Sequence, residues 1–86
     1  MAFEITFQPI GVLIDDQDTE GTLILADSQL TAVIIRLDSE AHPPQIRGSW
    51  RLVLGLGKCY VHGAPLFRTA EEAGTWVEQL LRGTVS

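Results

Sequence analysis

The stretch from Gln45 to His62, QIRGSWRLVLGLGKCYVH, restricts the possible folds more than any other part of this chain. Its first half alternates apolar and polar side chains, and Lys58 to His62 alternates again after a glycine-containing break. Alternation with a period of two predicts strands that have one buried face. Between them, Gly55 and Gly57 supply residues that accept positive φ in a tight turn. The stretch therefore predicts a β-hairpin, and we expect the rest of the chain to pack against it.

The N-terminal part predicts a strand followed by a second hairpin. Residues 3–7 alternate apolar and polar side chains. Pro9 is expected to end or bend this strand, because proline has no N–H to donate to a neighbouring strand. The apolar runs Val12–Ile14 and Thr22–Ala26 flank the polar loop Asp15–Gly21, which is typical of a hairpin.

A single helix is predicted near the C-terminus. Thr69 is a good N-cap, and Glu72 three residues later completes a capping box. Gly83 suits the position at which a helix ends in the left-handed conformation. Trp76 lies on the flank of an apolar stripe at helical spacing. The stripe consists of Ala70, Ala73, Val77, Leu80 and Leu81.

These elements predict one α+β domain over residues 1–86, with an antiparallel, mainly meandering sheet of four to five strands and one C-terminal helix packed on one face. Leu30–Leu37, after a turn at Asp27–Gln29, contains consecutive apolar residues, as in strands buried on both faces. The chain is 45% hydrophobic, more than one helix can cover in so small a domain. We therefore expect a homodimer that buries the second sheet face or an edge.

Composition limits the compartment and the partners. The net charge of −5 gives the acidic chain no general attraction to nucleic acid or to an anionic membrane. One cysteine excludes an internal disulfide framework and fits a reducing cytoplasm, which is the expected location. The N-terminus lacks the features of a signal peptide, and no apolar run approaches the length of a membrane span.

The acidic loop carries a partial calcium-binding pattern. Asp16, Asp18 and Glu20 alternate before Gly21, and Asp27 falls at the twelfth position. Glutamate at the fifth position and aspartate at the twelfth depart from that pattern, and strands flank the loop. The preferred interpretation is a solvated hairpin loop, and no metal site is expected.

The polar side of the predicted hairpin gathers cations around aromatic rings. Arg47 and Arg51 on its first strand would face Lys58, Tyr60 and His62 on its second. Such a sheet face is a common means of holding single-stranded nucleic acid, which is one alternative function. A solvated face or a dimer interface is the preferred interpretation, since the chain as a whole is acidic.

No stretch matches a catalytic or nucleotide-binding motif. Cys59 and His62 fall on opposite faces of their predicted strand, and Gly55 and Gly57 lack the spacing of phosphate-binding loops. No catalytic residue and no cofactor are expected, and enzymatic activity is not favoured. A pocket near His62 and Trp76 is the basis for a second alternative, a small ligand-binding domain or enzyme. The leading hypothesis is a small, homodimeric, non-catalytic interaction or regulatory module whose further partner is a protein or a small molecule.

Overall fold

In the part of the chain that the structure describes, four strands pair in chain order to form one antiparallel sheet, and one α-helix packs across it. The structure, a computed structural model, describes residues 3–12, 20–38 and 42–83. The predicted α+β fold with a meandering sheet and a C-terminal helix is confirmed. The elements are β1 (Ile5–Gly11), β2 (Glu20–Ala26), β3 (Gln29–Arg36), β4 (Trp50–Gly55), a 3-10 helix (Gly57–Cys59) and helix α1 (Ala70–Arg82).

Strand β1 runs through Pro9 to Gly11, so Pro9 does not end this strand. The strand lies at the edge of the sheet. The Glu4 carbonyl accepts a hydrogen bond from the Asp27 amide at 2.9 Å, so the main-chain groups of even-numbered residues in β1 point toward β2. The missing N–H of Pro9 therefore lies on the outer side of an edge strand, where proline is tolerated.

Asp27 and Ser28 connect β2 to β3, which confirms the turn predicted at Asp27–Gln29. Their φ angles are 51° and 69°, and positive φ at both central residues defines the type I′ turn that suits a two-residue hairpin. The Asp27 carboxylate also accepts a hydrogen bond from the Glu4 amide at 2.9 Å. This bond ties the start of β1 to the turn.

The first strand of the predicted 45–62 hairpin is shorter than expected, because β4 starts only at Trp50. Just before it, the amides of Ile46 and Arg47 donate to the Pro43 carbonyl at 3.1 and 3.2 Å, a helix-like turn that Gly48 ends with a φ of 87°. Proline at the start and glycine at the end are the local signals of such a turn. Here they outweigh the alternation that predicted a strand.

Residues 58–62 do not form the predicted second strand of that hairpin. A 3-10 helix follows β4 directly, and the Cys59 amide donates to the Leu56 carbonyl at 3.0 Å. The chain then takes an irregular path to Phe67, which exchanges two backbone hydrogen bonds of 2.7 and 2.9 Å with Trp50. The outer edge of β4 is therefore covered at Trp50 by Phe67 and not by a hairpin partner.

Helix α1 begins and ends at the predicted residues. Thr69 Oγ1 accepts a hydrogen bond from the Glu72 amide at 3.0 Å, and Gly83 adopts the left-handed conformation with φ 72°. Its apolar stripe packs on one face of the sheet. The buried core between α1, the 3-10 helix and the sheet consists of Ile24, Ala32, Ile34, Cys59, Phe67, Ala73 and Val77.

Candidate functional site

The side of the sheet that faces away from α1 is the main candidate surface, and we call it the open face. Ile5 and Phe7 face the helix, because their nearest side-chain atoms lie 3.2 and 2.6 Å from the position that a Cβ atom on Gly74 would take. Side chains alternate along a strand, and residues paired across strands share a face. Thr6, Gln8 and their partners therefore belong to the open face.

Strand register arranges the open face in three rows that cross the sheet. A register shift between Val33 and Ile34 leaves Val53 as an extra residue beside Leu54, so that both lie opposite Val33. We call the row at the C-terminal end of β1 the upper row and the row at its N-terminal end the lower row. The upper row is Ile10, Gly21, Ile35 and Arg51; the middle row is Gln8, Leu23, Val33 and Leu54; the lower row is Thr6, Leu25 and Leu30.

Much of the open face is apolar and incompletely covered. Four of its apolar side chains are between 39 and 46% exposed, namely Leu30, Ile10, Val53 and Leu54. Leu23, Leu25 and Val33, near the centre, are half-buried. By contrast, Ile24 and Ile34 on the helix side of the same two strands are fully buried. Partly exposed apolar surfaces are common at protein interaction sites, so the open face is a candidate for one.

The centre of the upper row is already covered. Ile35 is 1% exposed, and Gly21 is buried. Cγ1 of Val12, just after β1, lies 2.8 Å from the position that a Cβ atom on Gly21 would take, so the Val12 side chain lies over this glycine. The free apolar area therefore spans the middle and lower rows, with Ile10 at one corner.

A second candidate is a groove on the helix side, between α1 and the segment that precedes it. The groove has a volume of about 320 Å³. Trp76 forms part of its wall, and the Trp76 ring lies 5.3 Å from the Phe67 ring, centroid to centroid. His62 lies outside the lining, so the pocket predicted near His62 and Trp76 involves only the tryptophan. The other lining residues are Pro65, Leu66, Glu72, Thr75 and Gln79.

The cations of the predicted basic and aromatic surface lie on different sides of the sheet. Arg51 is exposed in the upper row of the open face. Lys58 lies at the C-terminal end of α1, where its Nζ donates to the Leu81 carbonyl at 3.3 Å. Arg47 belongs to the turn before β4, and its guanidinium donates to the His42 carbonyl at 2.8 Å. The geometry therefore does not bring these cations together.

Tyr60 and His62 remain together, although they do not lie on a strand. Their rings form an edge-to-face pair with centroids 5.7 Å apart, in the irregular segment after the 3-10 helix. Tyr60 is 70% exposed, the most exposed of the large apolar and aromatic side chains in the described ranges. Tyr60 and His62 are exposed, whereas Cys59 is buried in the core, so the three residues do not form a catalytic arrangement.

The calcium candidates do not form a site in the part of the chain that is described. Asp16 and Asp18 lie outside the described residues. Glu20 begins β2, and its carboxylate lies 3.6 Å from the Arg36 guanidinium. Asp27 follows the other end of β2, roughly 20 Å away at about 3.3 Å per residue. Glu20 and Asp27 therefore cannot bind the same ion.

Cys59 is a core residue and not an activated nucleophile. Its side chain is fully buried, and this burial raises the pKa of the Cys59 thiol above its usual value of 9.0 by desolvation. The thiol is therefore protonated at neutral pH. Within residues 3–12, 20–38 and 42–83, no group of three or more His, Cys, Asp or Glu side chains is placed to hold a metal ion.

The apolar residues of the open face were not among the predicted binding residues, although a signal for them exists in the sequence. The runs Leu23–Ala26 and Ala32–Ile35 are apolar at every position. In an antiparallel strand such a run makes both faces apolar, whereas one helix covers only one of them. The side that stays exposed became identifiable only when the position of α1 was known.

Comparison with protein-family models, with curated proteins and with solved structures finds no match for this chain. None of the helices in the described ranges has the length and apolar character needed to cross a membrane. Function is therefore inferred from the two surfaces described above.

Proposed function

We propose that this chain is a small, non-catalytic interaction module that works as a homodimer, with the open face as the subunit interface. One observation carries the proposal. Ile24 and Ile34, on the helix side of the two central strands, are fully buried. On the other side of the same strands, Leu23, Leu25 and Val33 are only half-buried and Leu30 is exposed. Removing such side chains from water contributes about 25 cal/mol for each Å² buried, which favours a partner on this face.

The open face has room for a small interface with a second copy. Four strands about 4.8 Å apart and about seven residues long give an area of roughly 19 by 23 Å. This flat outline of roughly 440 Å² is about half of the 800 Å² of accessible surface that a standard interface buries on each partner, and it includes the covered centre of the upper row. Side-chain relief adds accessible area to the outline. Two sheet faces of this size, packed about 10 Å apart, form a β-sandwich between subunits.

Solution mass measured by light scattering after gel filtration tests the proposal. The chain has a mass of 9.4 kDa, and we expect about twice that value at micromolar concentration, at low and at high salt. Leu54→Lys places a charge on the open face and is expected to shift the protein to the monomer. Leu66→Lys is the matched control, because Leu66 is 42% exposed but lines the groove on the helix side.

A wild-type protein that stays monomeric at every concentration would overturn the proposal. A dimer that tolerates Leu54→Lys and also Val33→Lys, but is lost in Leu66→Lys, would move the interface to the helix side. Circular dichroism of each variant separates loss of the dimer from loss of the fold.

A second candidate function, binding of a small ligand, is supported by the groove beside Trp76. An indole wall, apolar Pro65 and Leu66, and the Glu72 carboxylate suit a ligand with an apolar body and a cationic end. Phenethylamine is a suitable probe. With Trp50→Phe as background, titration is expected to change the fluorescence of Trp76, and Glu72→Gln is expected to weaken the response. An unchanged spectrum at millimolar probe would remove this candidate.

A further inference from the structure

We propose that the two copies cross their open faces at nearly a right angle, so that Glu4 of each copy lies opposite Arg51 of the other. This inference rests on the proposed function, because it assumes that the open face is the interface. The inference specifies which of the symmetric arrangements the dimer takes and which charged groups select that arrangement.

Glu4 and Arg51 lie at diagonally opposite corners of the open face. Glu4 precedes Ile5, which packs toward the helix, so alternation turns the Glu4 side chain to the open side. Its backbone pairs with Asp27, which places it below the lower row at the β1 edge. Arg51 pairs with Ile35, which places it in the upper row at the β4 edge. Both side chains are exposed.

The two charges cannot neutralise each other within one chain. Six residues along β1 and three strand spacings separate the two corners, which gives roughly 24 Å. That distance is about three times the screening length of physiological salt. Within the described part of the chain, neither side chain takes part in an ion pair. Each is therefore available to an opposite charge on a second copy.

Two-fold symmetry leaves four simple ways to lay the open face on a copy of itself. In the first aligned arrangement the axis runs along the strands, and Glu4 lies opposite the lower end of β4 of the other copy. In the second the axis runs across the strands, and Glu4 lies opposite the Ile10 corner of β1. Both places are apolar. In the two orthogonal arrangements the axis follows a diagonal of the face. An axis along the Glu4–Arg51 diagonal places Glu4 on Glu4 and Arg51 on Arg51, which is repulsive.

The remaining arrangement has its axis along the other diagonal, from the Ile10 corner to the lower end of β4. Reflection across this diagonal exchanges the two charged corners, so Glu4 of each copy meets Arg51 of the other at two places. Leu23 and Val33, near the middle of the face, stay within the apolar centre of the interface. This arrangement alone among the four gives each charge an opposite partner, so the charges act mainly by selecting one orientation.

Chemical cross-linking distinguishes the four arrangements. Glu4→Cys and Arg51→Cys are prepared separately, and the native Cys59 is fully buried, so it contributes little background. With a short bis-maleimide reagent, an equal mixture of the two variants is expected to give a 4-to-51 linked dimer, whereas each variant alone gives little. Efficient linking of Glu4→Cys to itself would indicate the repulsive diagonal instead. No linking in the mixture or in either single variant would indicate an aligned dimer. Both results overturn the inference.

Charge exchange gives an independent test. Glu4→Lys and Arg51→Glu each place like charges together at two sites, and we expect each to raise the dimer Kd by about 3- to 30-fold at low salt. The double variant exchanges the two charges and is expected to return the Kd to near the wild-type value. Glu71→Lys, an exposed change of the same kind on α1, is the control and should leave the Kd unchanged.

The two proposals fail in different ways. A monomeric wild-type protein would overturn the proposed function together with this inference. A wild-type dimer that Leu54→Lys disrupts, but that shows no 4-to-51 linking and no recovery in the double variant, would leave the open face as the interface and overturn the orthogonal arrangement.

Discussion

The carbonyl group of Cys59 occupies the space into which a Cβ atom on Gly55 would project. Gly55 is the last residue of β4, and the 3-10 helix that starts two residues later turns back over it. The glycine is thus needed for close packing of two backbone segments, rather than for a hairpin turn with positive φ. This contact sets the path by which Cys59 enters the core.

Replacing Gly55 with alanine is therefore expected to destabilise the fold. The added methyl group must displace backbone atoms of Cys59, and overpacking of this kind costs about 1–3 kcal/mol. Urea unfolding followed by circular dichroism measures the change. Gly11→Ala is the matched control, because no atom of the residues that the structure describes lies within 4 Å of its Cβ position. It should change the unfolding free energy by no more than about 0.5 kcal/mol. Equal stability of the two variants would contradict this packing.

Ser28→Gly is expected to stabilise the β2–β3 hairpin. Ser28 adopts φ 69°, and the left-handed conformation costs a non-glycine residue about 1 kcal/mol. Greater chain entropy of glycine in the unfolded state offsets part of that gain. The expected net increase in the unfolding free energy is about 0.5 kcal/mol, read from the urea midpoint. Ser28→Ala keeps the unfavourable φ and should give no increase, so equal gains in both variants would argue against the type I′ turn.

Lys58→Met is expected to weaken the C-terminal end of α1. The Lys58 ammonium group donates to the Leu81 carbonyl and lies near the negative end of the helix dipole. Because the lysine is exposed, solvent screening limits the loss in unfolding free energy to about 0.3–1 kcal/mol, and salt should reduce it further. Arg68→Met removes a cation near the opposite end of the helix and should not destabilise. Comparable losses from both substitutions would indicate a general charge effect.

Cys59 is expected to make stability depend on pH only in alkaline solution. Burial raises the pKa of the folded Cys59 thiol above 9.0, so the unfolded chain releases the thiol proton at a lower pH than the folded chain. The thiol's contribution is therefore complete at neutral pH and falls as the pH rises past about 9. The unfolding free energy of wild type minus that of Cys59→Ala should decrease between pH 8 and pH 10. A constant difference would mean that the thiol is not desolvated.

The same burial predicts slow chemical modification of the thiol. An aromatic disulfide reagent at pH 8 should react with Cys59 only as fast as the protein opens, and should react rapidly in denaturant. Rapid reaction of the native protein would place Cys59 outside the core.

Elements governed by neighbouring residues could be predicted from the sequence. Helix α1 follows from its Thr69 cap, its apolar stripe and Gly83, all within about four turns of chain. The turn at Asp27 and Ser28 likewise depends on residues that reach their own backbone and accept positive φ. In both cases the stabilising contacts are close in sequence, so the pattern contains the information needed to place them.

The hairpin predicted over Gln45–His62 shows where such patterns stop being sufficient. Alternation before Trp50 is genuine, yet a turn between Pro43 and Gly48 forms there instead. After Gly55, the chain folds back because Cys59 reaches the core between the sheet and α1. Alternation of polar and apolar side chains depends only on neighbouring residues. Burial of Cys59 depends on packing against α1, which lies more than ten residues further along the chain.

The sequence by itself determined helix α1, the turn between β2 and β3, the meander and the excess of apolar residues over what one helix can cover. Local hydrogen bonds and side-chain period are enough for those features, because each depends on residues near in the chain. Only the tertiary structure decided that Arg51 and Lys58 lie on opposite sides of the sheet and that Leu23, Val33 and Leu54 form one partly exposed row. Strand register and the position of α1 set these relationships, and both come from packing between residues that are distant in sequence.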